Sequence, residues 1–120
     1  VQLIDCHSFT DRPLTRDLVQ TMPRPDFCLG TDGYHTPDEL VRRTETYLKD
    51  LGYTVGINTP YKGTLIPTYF EKDKRVQGIM IEVNRKLYME MDGSVAVKSE
   101  GFEKIKRVIG ELFGNVNRET

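Results

Sequence analysis

A chain of 120 residues with 17 lysines and arginines against 18 acids, and no long block of either sign, is sized for one compact domain. It lacks the basic surface of a nucleic-acid binder, the roughly 18 consecutive apolar residues of a membrane span, and a charged-then-apolar leader, so a soluble cytoplasmic protein without nucleic acid or membrane as partner is expected. Cys6 and Cys28 both fall in apolar runs and are expected as reduced, buried thiols rather than a disulfide.

Residues 1–7 read as a buried strand that ends in polar side chains. A core-type strand opening on Val1, without a methionine or a preceding cap, is the start expected of a fragment. Residues 8–25, with Pro13, Pro23 and Pro25 among charged side chains, predict a long irregular connection of the kind that carries function. A short strand follows over 26–30. Thr36 as N-cap, Pro37 in the first turn and Glu39 as reciprocal partner then predict a capping box. Leu40, Val41, Tyr47, Leu48 and Leu51 recur at three- and four-residue steps, so one face of this helix packs on a sheet, and Gly52 ends it.

A third strand is expected over 53–58 and a second long loop from Pro60 to about Lys74. The run over 76–84 is almost continuously apolar at Ile79, Met80, Ile81 and Val83, the mark of a strand covered on both faces. A small hairpin over 86–97 turns at Asp92-Gly93. The last helix, over 99–113, is striped by Phe102, Ile105, Val108, Ile109, Leu112 and Phe113 and stopped by Gly114-Asn115. Amphipathic helices alternating with buried strands predict an α/β fold, a three-layer sandwich with a mostly parallel or mixed sheet between helices.

The polar residues fall at strand ends: Asp5 and His7, then Asn58, then Glu82, Asn84 and Arg85. Open α/β sheets bind ligands outside the carboxyl ends of their strands. Asp5 and His7, two apart, share a face from which Cys6 turns away. The spacing suits a metal-binding imidazole whose tautomer a carboxylate fixes, but residue type alone favours a histidine that merely ends a strand and bonds a loop. Glu82 lies inside Ile79-Met80-Ile81-Glu82-Val83, where an unpaired carboxylate is costly to bury. It needs a partner such as Arg85, or a task, and desolvation would lift its pKa towards that of a general base. Cys6, His7, Cys28 and His35 match no closed zinc motif. His35, between Asp32-Gly33 and Thr36, reads as a solvated loop position, and Gly30, Gly33 and Gly63 form no phosphate cradle.

Three blocks in order, Ile4-Asp5-Cys6-His7-Ser8-Phe9, Asn58-Thr59-Pro60-Tyr61-Lys62-Gly63 and Ile81-Glu82-Val83-Asn84-Arg85-Lys86-Leu87-Tyr88-Met89, resemble those of the N-formylglutamate amidohydrolase (N-formylglutamate deformylase) family. The likeness covers nearly the whole chain and is most specific in the third block. More distantly, the Asp-x-His-Ser-aromatic and buried Ile-Glu strands resemble those of zinc carboxypeptidases and of the aspartoacylase and succinylglutamate desuccinylase group. That kinship implies a zinc-carboxypeptidase-like fold, of which residues 1–120 are the C-terminal part of a single catalytic domain.

The resemblance implies that His7 is a ligand of a catalytic divalent metal, most naturally zinc, with Asp5 behind it, and that Glu82 is the catalytic base. Arg85 and Lys62 would meet substrate carboxylates, while Asn58, Tyr61 and Asn84 would orient the substrate or stabilise the tetrahedral intermediate. The other metal ligands of such enzymes lie upstream of the Asp-x-His strand, so the fragment by itself is expected to be inactive. The activity implied for the intact protein is metal-dependent hydrolysis of N-formyl-L-glutamate, a step of amino-acid metabolism, to formate and glutamate, or of a similar N-acyl amino acid. A metallohydrolase for another acyl amino acid or a peptide, and a catalytically dead binding relative, are the alternatives.

Overall fold

The computed structural model describes residues 1–116. Strand β1 (Gln2–Phe9) is followed by β2 (Phe27–Gly30), helix α1 (Asp38–Asp50), β3 (Val55–Ile57), β4 (Gln77–Asn84), the hairpin strands β5 (Met89–Asp92) and β6 (Val95–Lys98), and helix α2 (Phe102–Val116). The main sheet has the order β1-β4-β2-β3. β1 runs parallel to β4 and β2 parallel to β3, while β2 meets β4 antiparallel, so the sheet is mixed. Of the two expected arrangements, mixed and mostly parallel, this is the former, because the long loops rather than helices connect β1 to β2 and β3 to β4.

Strand alternation divides the sheet into two unlike faces. Ile79, Ile81 and Val83 of β4 join Phe27 and Leu29 of β2 in a core completed by Leu40 and Leu48 of α1 and Ile105, Val108 and Leu112 of α2. Both helices lie on this face, so among the described residues the sandwich has one helix layer, and the long loops cover the other side. On that other face stand Met80, Glu82 and Asn84 of β4, with Asp5, His7 and Phe9 of β1 beside them in register. Seven of the eight residues of β4 are buried, which accounts for its unbroken apolar run.

Local signals were met in part. α1 begins after Pro37 in extended conformation and without a side-chain cap. Thr36 does not form the expected capping box, because its hydroxyl accepts from Asp32 N–H at 2.8 Å and donates to the Gly78 carbonyl at 2.6 Å, tying the helix entry to β4. Gly52 does close the helix, at φ 95°. Leu51 is exposed, and the buried place in the stripe goes to Thr44, whose hydroxyl donates to the Leu40 carbonyl. α2 runs through Gly114 and Asn115 rather than stopping there, and a Cβ at Gly114 would meet nothing within 4 Å. No helix among the described residues is long and apolar enough to cross a membrane.

The cysteines separate. Cys28 is buried, whereas Cys6 is exposed, contrary to the expectation from its apolar run. The reason is position: β1 is the edge strand, and the core of α1 and α2 centres on β4 and β2.

Candidate active site

The parallel register sets His7 directly beside Glu82. Two straps of loop cross the same face on either side of that pair. The first is residues 63–66. A Cβ at Gly30 would lie 2.0 Å from the Gly63 carbonyl oxygen, so only glycine lets this strap rest on β2, and Gly63 itself has φ 85°. Asn58, at φ 59°, anchors the strap: its amide oxygen accepts from Thr31 N–H at 3.0 Å and Gly63 N–H at 3.2 Å, and its amide nitrogen donates to the Thr31 hydroxyl. The second strap, over the Asn84 end, is built on Arg24 and on Tyr61, whose ring meets Phe9 edge-on at 5.9 Å.

Asp5 serves strap and imidazole together. One carboxylate oxygen accepts the Leu65 N–H at 3.0 Å and the other lies 2.9 Å from His7 Nε2. The sequence left open whether Asp5 holds His7; here it does. Nδ1 is thereby the ring nitrogen without a hydrogen bond, on a side chain 51% exposed. A carboxylate behind one nitrogen and an open second nitrogen suit one ligand of a divalent metal. No group of three or more His, Cys, Asp or Glu that could hold a metal occurs among the described residues.

Glu82 is 6% exposed and makes no hydrogen bond or ion pair among the described residues. Its pKa is raised, first by desolvation and also by Asp5, while the neighbouring His7, Arg24 and Arg85 oppose the rise. An ion pair with Arg85, one of the two readings left open, is absent: Arg85 is exposed and its Nε donates to the Ser8 hydroxyl at 3.1 Å. Cys28 lies across from Glu82 in the antiparallel register and donates to the Thr59 and Tyr61 carbonyls, with its thiol pushed up mainly by burial.

The other residues expected to touch substrate are dispersed. β2 and β3 run against β1 and β4, so Asn58 lies at the opposite end of the sheet from Asn84, and the expected single row of carboxyl-end residues does not form. Asn84 is fully buried; its amide nitrogen donates to Asp11 and the Pro25 carbonyl and its oxygen accepts from Lys86 N–H. It fastens the first loop. The Tyr61 hydroxyl is engaged by Arg24 and Asp17. Lys62 is exposed and lines a cleft with Arg16, Asp17 and Pro60.

His35 corrects the expectation of a solvated loop position. It is 4% exposed, with Nδ1 2.7 Å from the Val76 carbonyl and Nε2 3.0 Å from the Glu71 carbonyl, and so pins the end of the second loop. Arg24 was missed altogether. Its signal was faint: an arginine between two prolines in a segment read only as loop.

A desolvated carboxylate beside a carboxylate-backed imidazole thus lies on the loop-covered face of a mixed α/β sheet. The family model for N-formylglutamate amidohydrolase matches residues 1–89. The chain belongs to the N-formylglutamate amidohydrolase family. The crystal structure of N-formylglutamate amidohydrolase from Ralstonia eutropha JMP134 is similar at a TM-score of 0.76 and 34% identity, over 93% of this chain and 41% of that one. The chain therefore spans about two fifths of that relative's length. No curated protein matches it.

Proposed function

We propose that the face bearing His7 and Glu82 is part of a site that hydrolyses the amide of N-formyl-L-glutamate, yielding formate and glutamate. The observation that carries the reading is Glu82, buried in an interior strand of the sheet with no hydrogen bond among the described residues, one strand from a histidine with an open Nδ1. A fold tolerates such a carboxylate where chemistry needs it. Family membership and the similarity to the Ralstonia eutropha enzyme support the substrate.

In this proposal His7 is one metal ligand, through Nδ1, and Asp5 fixes its tautomer and orientation. The remaining ligands come from the part of the enzyme that this chain does not span. When bound, a divalent metal, zinc first among candidates, supplies Lewis acidity and an activated water at neutral pH. Glu82 takes the proton of the attacking water and delivers it to the departing amide nitrogen, as the new C–O bond forms and the C–N bond breaks. Desolvation, the largest influence on Glu82, makes it a better base than an exposed glutamate. Of the cations expected to read the substrate's carboxylates, Lys62 faces a cleft and Arg85 lies at Ser8.

The test is formate release from N-formyl-L-glutamate by the full-length protein with added zinc or cobalt. Release by the parent, cut roughly 10³-fold or more in Glu82→Gln, is expected. Absence of formate from folded, metal-supplemented protein overturns the substrate, and release of another acid from another N-acyl amino acid would replace it.

A further inference from the structure

The two long loops meet around one buried cation. Arg24 is 3% exposed. Its Nη1 donates to the Thr10 carbonyl at 3.1 Å and the Tyr61 hydroxyl at 3.0 Å, and its Nη2 to Asp17 at 3.0 Å and the Val19 carbonyl at 3.3 Å. The guanidinium carbon lies 5.2 Å from the centre of the Tyr61 ring and 5.7 Å from that of Phe9. The Tyr61 hydroxyl in turn donates to the Asp17 oxygen that Arg24 holds, at 3.0 Å. Residues 10–24 and 58–63 are thus fixed to each other by one planar fork, whose geometry a lysine cannot reproduce.

The consequence is electrostatic. Asp17 and Arg24 neutralise one another, and the same Asp17 oxygen, Oδ2, also accepts from Leu14 N–H and the Tyr61 hydroxyl. The cleft between the loops, about 460 Å³, is left with two cations on its walls, Arg16 and Lys62. Both are exposed and neither has an ion pair or hydrogen bond among the described residues. Beside them stand the apolar Val19, Pro60 and Leu18, the last 100% exposed. Unpaired cations beside bare hydrocarbon match a ligand that joins a carboxylate to a short methylene chain.

We propose that this cleft binds the acidic end of the substrate, a carboxylate on a methylene chain, through Arg16 and Lys62, and that Arg24 is the positioning residue that sets the two loops at the spacing required. The substrate class rests on the function proposed above. In this proposal Arg16 takes the place of Arg85 as the partner of Lys62, and Tyr61, which lines the same cleft, also holds Arg24 and Asp17 through its hydroxyl.

The test is titration of this chain with glutarate at constant ionic strength, read by backbone amide NMR shifts, with uncharged glutaramide as the second arm. Saturable shifts confined to residues 16–19 and 60–63 are expected with glutarate and not with glutaramide. Arg16→Gln with Lys62→Gln should weaken binding roughly tenfold or more. Arg24→Lys should weaken it several-fold and Arg24→Met further, while the amides of residues 79–83 stay in place and report an intact sheet. Equal response to glutaramide, shifts elsewhere, no saturation, or unchanged binding in the double variant would overturn the cleft. Unchanged binding in Arg24→Lys and Arg24→Met would overturn the positioning role. Because the readout is binding and not turnover, a full-length protein that releases no formate while its cleft still takes glutarate would sink the proposed reaction and leave the cleft standing.

Discussion

The two faces of the central sheet are built from alternate residues of the same strands and obey different rules. On the helix face, Ile79, Ile81 and Val83 join the apolar core together with residues of α1 and α2. On the loop face, Glu82 and Asn84 occupy the intervening positions, and the covering is backbone, Arg24 and Tyr61. Helices can bury an apolar face cheaply because their own backbone groups are satisfied. A loop laid on a sheet must find partners for its peptide groups, and here Asp5, Cys28, Asn58 and Asn84 supply them. The helix face therefore carries stability, and the loop face accepts a destabilising carboxylate, which the proposed reaction would use.

Substitutions should separate these roles. Gly30→Ala forces a Cβ to within 2.0 Å of the Gly63 carbonyl, so the strap must lift off. A loss of about 3 kcal/mol or more is expected, with the loop over 59–66 opened to protease in the folded chain. Leu48→Ala, in the fully buried core under α1, should cost roughly 3 kcal/mol in chemical denaturation and leave that loop protected. If both variants open the loop alike, the faces are not independent. The thiols give the smallest effect. Cys6→Ser at the exposed edge should change stability by less than about 0.5 kcal/mol, and a thiol reagent should label Cys6 in the native chain but reach Cys28 only on unfolding.

Periodicity made the helix face legible: the stripes of both helices and the doubly covered β4 follow from apolar spacing alone. The loop face was legible only where a single residue broke a pattern, as Glu82 does within Ile79 to Val83. What joined Glu82 to His7 was strand register, a long-range property that no local spacing encodes, and strand direction, which sent Asn58 to the far end. Thr36, His35 and Arg24 were misread or overlooked for a shared reason. Each is a polar residue in a loop whose partners lie far along the chain, at Gly78, Val76 and Tyr61.

The most direct test of the division between faces is thermal unfolding of Glu82→Gln and the parent across pH. A carboxyl whose folded pKa is raised opposes folding once it ionises, so its penalty is absent below its ordinary value of 4.5 and grows as pH rises through the folded value. The account predicts that Glu82→Gln unfolds at a higher temperature than the parent at pH 7 and that the two converge as pH falls below 4.5. A variant less stable than the parent at pH 7 would contradict it, because Glu82 would then be a paired structural carboxylate rather than one held free for chemistry.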